Sequence, residues 1–230
     1  MKHIKIFSLT SEYETSKSGG TLITPNVSLI NEDNSIRYLP ELDDPYNGHE
    51  YVDLGLPSGL KWAKCNVGAN SPEEYGLYFA WGETTGYTAD DVTSGVRSFT
   101  QDEYNAGPAA SISANLTLEQ DAAHVNMGGN WRMPTKDECQ ELINNCNKVY
   151  TTDYNGTGVT GILLTSKANN NSIFLPCASF YADSSIRDAS IYSNASFMSV
   201  ENFYGFVIYP PLAIGKSFRF LGCQVRAVCE

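Results

Sequence analysis

Thiols, imidazoles and carboxylates are where this chain could do chemistry, and their spacing argues against most of it. The six cysteines are Cys65, Cys139, Cys146, Cys177, Cys223 and Cys229. None forms a CxxC pair or joins a histidine at zinc-type spacing. Cys139 and Cys146 share one face of a helix, and Cys223 and Cys229 share one face of a strand, turned inward. Buried, inert thiols are therefore expected. Three histidines leave little for acid–base work. His124, in an alanine-rich helix, reads as structural. No Ser/His/Asp set, HExxH or P-loop occurs. Asp90 and Asp91 do not by their spacing make a calcium cage of about six to eight oxygens, and neither a metal nor a cofactor is expected. Arg132 and Arg226 have the chemistry to bind an anion, but each is expected to pair inside the fold with an acid such as Glu138 or Asp121. Trp62, Trp81 and Trp131 read as core anchors rather than sugar-stacking platforms.

The elements that must position these residues come from an acidic, moderately apolar chain. Its 230 residues are 42% hydrophobic and 18% charged, with a net charge of −11 and a pI near 4.7. That apolar fraction can build a core and excludes a disordered acidic tail. No run of about 18 apolar residues exists, so a membrane-spanning helix and membrane insertion are excluded. The acidity also opposes nucleic-acid binding, which needs clustered Lys and Arg. Residues 1–150 hold 21 acids and 10 bases, whereas residues 151–230 hold five of each. The neutral last third is rich in aromatics from Phe180 to Phe220. The N-terminal apolar stretch is broken by Lys5 and followed by Glu12 and Glu14, unlike a secretory signal. Synthesis in a cytoplasm without that export route is the expectation.

Residues 1–44 read as a small β-rich unit followed by a linker. HIKIF and SIRYL are strand-like, Val27–Ile30 and Ser35–Leu39 form a hairpin, and PELDDPYNGHE has linker composition. From Tyr51 the pattern is strand, Pro–Ser–Gly turn, strand. Ser71-Pro72-Glu73-Glu74 starts about one helical turn. Residues 84–115 read as a long surface loop. A capping box at Thr117–Gln120 opens a helix through DAAHVNM that Gly128-Gly129 stops. A second box, Thr135–Glu138, opens a helix with its apolar stripe at Cys139, Leu142, Ile143 and Cys146, and Lys148 near its end suits the helix dipole. GILLTS, SIFLPCAS, FYGFVIYP, SFRFLG and CQVRAVC then read as strands. Two helices followed by short strands predict an α+β fold with an antiparallel sheet.

EYVDLGLPSGLKWAKCNVGANSPEEYGLYFAWGE, DAAHVNMGGNWRMPTKDECQELI and GCQVRAVCE together resemble the Fibrobacter succinogenes major paralogous domain of Bacteroidetes and their phages. The likeness covers residues 49–230 and implies a C-type-lectin-like domain over 45–230. The WRMPTxxE run is also similar to formylglycine-generating-enzyme-like proteins, which share the fold and use a late cysteine pair. The leader, with PNVSLI and an acidic turn, resembles leader units of Bacteroides phage virion proteins. The resemblance implies a non-enzymatic binding module: a phage-tail receptor-binding protein or adhesin in the virion. Its C-terminal stretch would be the kind that diversity-generating retroelements vary. The implied partners are a host surface protein or glycan and, through residues 1–40, other virion proteins, with a homotrimer as one possible assembly. Tyr181, Arg187, Tyr192, Phe197, Glu201, Phe203, Tyr204 and Tyr209 are the expected ligand contacts. Aromatics supply contact area at small entropy loss, and Ser and Asn adaptable hydrogen bonds. A Bacteroidetes cell-surface protein and a formylglycine-generating-type oxidoreductase are the alternatives. The calcium-lectin motifs Glu-Pro-Asn, Gln-Pro-Asp and Trp-Asn-Asp are absent from the sequence.

Overall fold

In the computed structural model the chain divides into two compact units, Met1–Asp44 and Pro45–Glu230. The structure describes residues 44–112, 115–177, 180–183, 185–187, 196–198, 204–207, 212–216 and 218–230, with strand residues 28–30 and 36–38 of the first unit. In that unit β1 (Ser28–Ile30) pairs antiparallel with β2 (Ile36–Tyr38), Leu29 opposite Arg37. This is the hairpin expected from the two apolar runs around a polar turn. The HIKIF run lies outside the described residues.

The second unit is α+β, with every described strand pair antiparallel. β3 (Tyr51–Asp53) and β4 (Lys61–Ala63) flank the Pro–Ser–Gly turn as the sequence predicts. Ser71–Glu74 makes only a turn. Residues 84–112 depart from the expected surface loop. They hold α1 (Ala89–Thr93), α2 (Gln101–Ala106) and a 3₁₀ turn at Pro108–Ser111. Thr88 with Asp91, and Thr100 with Glu103, form capping boxes that start the two short helices. Val92, Phe99, Tyr104 and Ala109 are buried beneath them. The polar composition disguises a segment that closes over apolar anchors.

The helix expected from Thr117 is broken. The Thr117 box opens only a 3₁₀ turn, Leu118–Gln120, and Asp121 then caps α3 (Ala122–Met127). Asp121 is buried: Oδ1 accepts from the Ala123 and His124 amides, and Oδ2 accepts from Met133 N, which ties the helix to the WRMP loop. Gly128 and Gly129 end α3 at positive φ, and a Cβ on Gly129 would meet Pro45 O at 2.5 Å.

α4 (Lys136–Asn145) follows the Thr135–Glu138 box as expected, burying Cys139, Leu142 and Ile143. It ends before Lys148, which lies in β5 (Cys146–Thr151) and does not serve the helix dipole. β5, β6 (Gly161–Ser166) and β7 (Ser172–Pro176) form one sheet in chain order. Beyond it come β8 (Phe180–Ala182) paired with β9 (Ser185–Arg187), then a sheet of β10 (Ser196–Met198), β11 (Tyr204–Val207) and β12 (Ala213–Lys216). SFRFLG, expected as a strand, is largely a turn that leads into the closing segment.

That closing segment, residues 222–229, is buried throughout and ends in β13 (Val228–Cys229), whose sheet order is β13–β4–β3. Its residues alternate between two hydrophobic clusters. Cys223, Val225, Ala227 and Cys229 join Trp81, Trp131, Phe79 and Met133. Val228 joins Trp62, Leu142, Ile162 and Leu164 on the other side. Alternation thus turns both late cysteines inward, as the sequence predicts, and all three tryptophans are buried.

Arg226 lies in this wall and is fully enclosed. No described carboxylate pairs with it, so the expected ion pair is replaced by neutral acceptors. Its Nε donates to Asn66 Oδ1 at 2.9 Å, one terminal nitrogen to the carbonyls of Ala63 and Lys64 at 3.2 and 3.1 Å, and the other to Phe174 O at 3.0 Å. Burial lowers its pKa to about 10, which leaves it charged at neutral pH. Arg226→Met keeps apolar bulk and removes every donor. It is expected to lower the unfolding free energy by about 3 kcal/mol, because four acceptors, three of them buried, lose their donor. The measurement is the urea midpoint at unchanged m-value; an unshifted midpoint would show that these acceptors find donors elsewhere.

Candidate recognition surface

The segment carrying most of the expected contacts is flanked on both sides by buried residues. At its start, Tyr181 and Gly222 exchange backbone hydrogen bonds, at 2.9 and 3.0 Å. The Tyr181 ring stands edge-on to Tyr78 at 4.6 Å and stacks near Phe99 at 6.4 Å. Ala182 is buried beside it, and Asp183, at positive φ, begins the turn to β9. At the return, Leu212 is buried in the cluster under α4, and Ile214 packs against the same cluster.

These anchors change one expected contact. Tyr181 is 0% exposed, so it is a core residue and not a ligand contact. The reason is its bridge to Gly222, which draws the strand against Tyr78 and Phe99. Arg187 ends β9 opposite Phe180. Phe197 on β10 lies in register with Phe206, which in turn is opposite Ile214. Tyr204 is opposite Lys216. Tyr192, Glu201, Phe203 and Tyr209 lie outside the described residues.

Phe218 is not among the expected contacts. It is 68% exposed and stacks on Phe220 at 5.8 Å in the turn after β12. The turn is held firmly. The Arg219 guanidinium lies 4.3 Å from the centre of the Trp81 ring, Arg219 Nη1 donates to Ile112 O, and Trp81 N donates to Arg219 O.

The remaining chemically capable residues are absorbed by the scaffold. Arg132 forks onto Glu138, Nη1 to Oε2 at 2.8 Å and Nη2 to Oε1 at 2.7 Å, as expected. His124 Nδ1 lies 3.1 Å from Trp131 O. Asp91 takes part in the α1 cap, accepting from Thr88. Cys223 and Cys229 are buried, and burial pushes the Cys177 thiol up to about 11. Among the described residues no group of three or more His, Cys, Asp or Glu is placed to hold a metal ion, and no helix is long and apolar enough to cross a membrane. No family model matches the chain, and comparisons with curated proteins and with solved structures find no match.

Two measurements test this assignment of roles. Burial acts to raise the Glu138 pKa, but the Arg132 guanidinium and the Thr135 amide and hydroxyl outweigh it and hold the carboxyl below its ordinary value. The pair therefore stabilises fully above the ordinary carboxylate range, and its contribution is lost as pH falls through the lowered pKa. Glu138→Gln is expected to remove about 1–2 kcal/mol at neutral pH and to flatten the acid limb of the stability profile. The Tyr181 hydroxyl is buried without a hydrogen-bond partner among the described residues. Tyr181→Phe is expected to leave the thermal midpoint unchanged or raise stability by up to about 1 kcal/mol; a fall would show that the hydroxyl has an acceptor.

Proposed function

We propose that the 45–230 unit is a non-enzymatic, C-type-lectin-like binding module. In this reading the protein belongs to a phage virion as a receptor-binding protein or adhesin, with residues 1–40 engaging other virion proteins. Segment 183–211 and the Phe218 turn face a protein or glycan of the host surface. The supporting observation is that both ends of that segment are held in the core, at Tyr181–Gly222 and at Leu212. Such a scaffold lets the intervening sequence vary without disturbing the fold, as binding loops on rigid frameworks do. Phe218 supplies a second support: a large exposed ring on a braced turn gives contact area at little entropic cost. The motif likeness to phage and retroelement-target proteins supplies the biological setting.

The test exchanges 183–211 for the matching segment of a related phage while keeping Tyr181 and Leu212. Host-cell binding is expected to follow the exchanged segment. Phe218→Ala is expected to weaken binding by about tenfold at an unchanged thermal midpoint. Binding that stays with the scaffold would refute the proposal.

A further inference from the structure

The sheet of β5, β6 and β7 ends in two unlike edges. Among the described residues β5 and β7 each have a neighbouring strand on one side only. On β7 the outer edge is occupied, because Phe174 O accepts from the buried Arg226 guanidinium. On β5 the four residues 147–150 are all exposed, Val149 at 56% and Tyr150 at 40%. A strand covered on one face would alternate between buried and exposed, so exposure on both faces marks an edge that stands in solvent.

The phase of the ladder fixes what this edge presents. Lys167 N donates to Asn145 O, one step beyond the pair Cys146–Ser166. Bonded and non-bonded pairs alternate along an antiparallel ladder. Asn147, Val149 and Thr151 therefore bond to β6, and the main-chain N–H and C=O of Lys148 and Tyr150 point away from it. Lys148 and Tyr150 lie opposite the buried Leu164 and Ile162, and the Leu212 main chain meets the Tyr150 hydroxyl. On the other face Val149 begins an apolar row with Leu163 and Phe174, and Tyr154 stacks on Phe174 at 3.8 Å.

We propose that β5 pairs with β5 of a second copy of this chain, antiparallel about a two-fold axis at Val149. The main chain of Lys148 in each copy then bonds to that of Tyr150 in the other, Val149 faces Val149, and Asn147 faces Thr151. Charge selects this register, because Lys148 is the one charged residue of β5. An axis at Lys148 would set two ammonium groups opposite each other, which is destabilising. An axis at Tyr150 would pair Lys148 with Thr152, which lies beyond the strand. With the axis at Val149 the ammonium meets the Tyr150 ring, and the apolar row continues into its copy. The occupied β7 edge stops growth after one pairing, so the product is a closed six-stranded dimer and not a filament. A strand pair buries less than a standard interface, so the Kd is on the order of 100 µM. The net charge of −11 on each copy opposes association, so added salt strengthens it. This contact does not rest on the recognition-surface reading and shares no residue with segment 183–211 or the Phe218 turn.

Sedimentation equilibrium of the full chain, from roughly 10 µM to 1 mM to bracket a weak interface, is expected to show a monomer–dimer equilibrium that tightens with salt. Val149→Arg sets like charges at the axis and is expected, at an unchanged thermal midpoint, to weaken the dimer about tenfold or more. Cross-linking reads the register. The background is Cys65→Ser, which removes the one cysteine of the six that is not buried. In it Val149→Cys is expected to form a disulfide between copies on oxidation with diamide, because the Cα atoms of a non-bonded opposite pair lie about 4.5 Å apart. Asn147→Cys stands about 13 Å from its own copy and is expected not to cross-link. A monomer at every concentration, a dimer weakened by salt or indifferent to Val149→Arg, no cross-link at 149, or one equally strong at 147 would each overturn the proposal.

Discussion

A buried guanidinium with no carboxylate partner among the described residues is the constraint on which the second unit depends. Removing a cation from water costs several kcal/mol unless its donors are met. Arg226 meets that demand with three backbone carbonyls and one side-chain amide oxygen, drawn from the end of β4, the stretch after it and β7. The planar fork of arginine reaches acceptors that diverge in direction, which the single ammonium of lysine does not. Because the acceptors lie on different elements, the cation fixes their relative positions. The same segment carries Val228 into one cluster and Cys223, Val225, Ala227 and Cys229 into another. Both clusters thus share a wall whose register the guanidinium sets.

The shared wall explains how a neutral, aromatic last third fits an acidic chain. Its aromatics divide by position. Tyr181 is fully buried, Phe220 is partly buried, and Phe218 stands in solvent on a turn braced by Arg219 and Trp81. The excess acid of the earlier residues is partly structural: Asp91, Glu103, Asp121 and Glu138 each cap a helix.

Much of this arrangement was legible locally. The Thr135–Glu138 box and the stripe that follows it define α4 because both signals lie within a few residues of each other. The inward turn of Cys223 and Cys229 follows from alternation alone. Segment 84–112 was misread because its capping boxes sit in a polar setting, and only long-range contacts reveal that Phe99 and Tyr104 have a core to enter. Lys148 was misplaced because the helix passes directly into a strand at Cys146, with no glycine or proline to mark the change. From the sequence Tyr181 reads as a surface residue because its aromatic neighbours are local, while the partners that bury it, Tyr78, Phe99 and Gly222, are distant.

The sequence by itself determined the α+β class, the hairpins, one full helix, the inward cysteines and the Arg132–Glu138 pair. Each of these follows from residues at short separation or from a strict period. Tertiary structure decided which aromatics are wall and which are surface, and gave Arg226 neutral acceptors in place of an acid. Those outcomes depend on distant segments meeting, and hydrophobic burial, which drives the meeting, is non-directional and leaves no periodic mark along the chain.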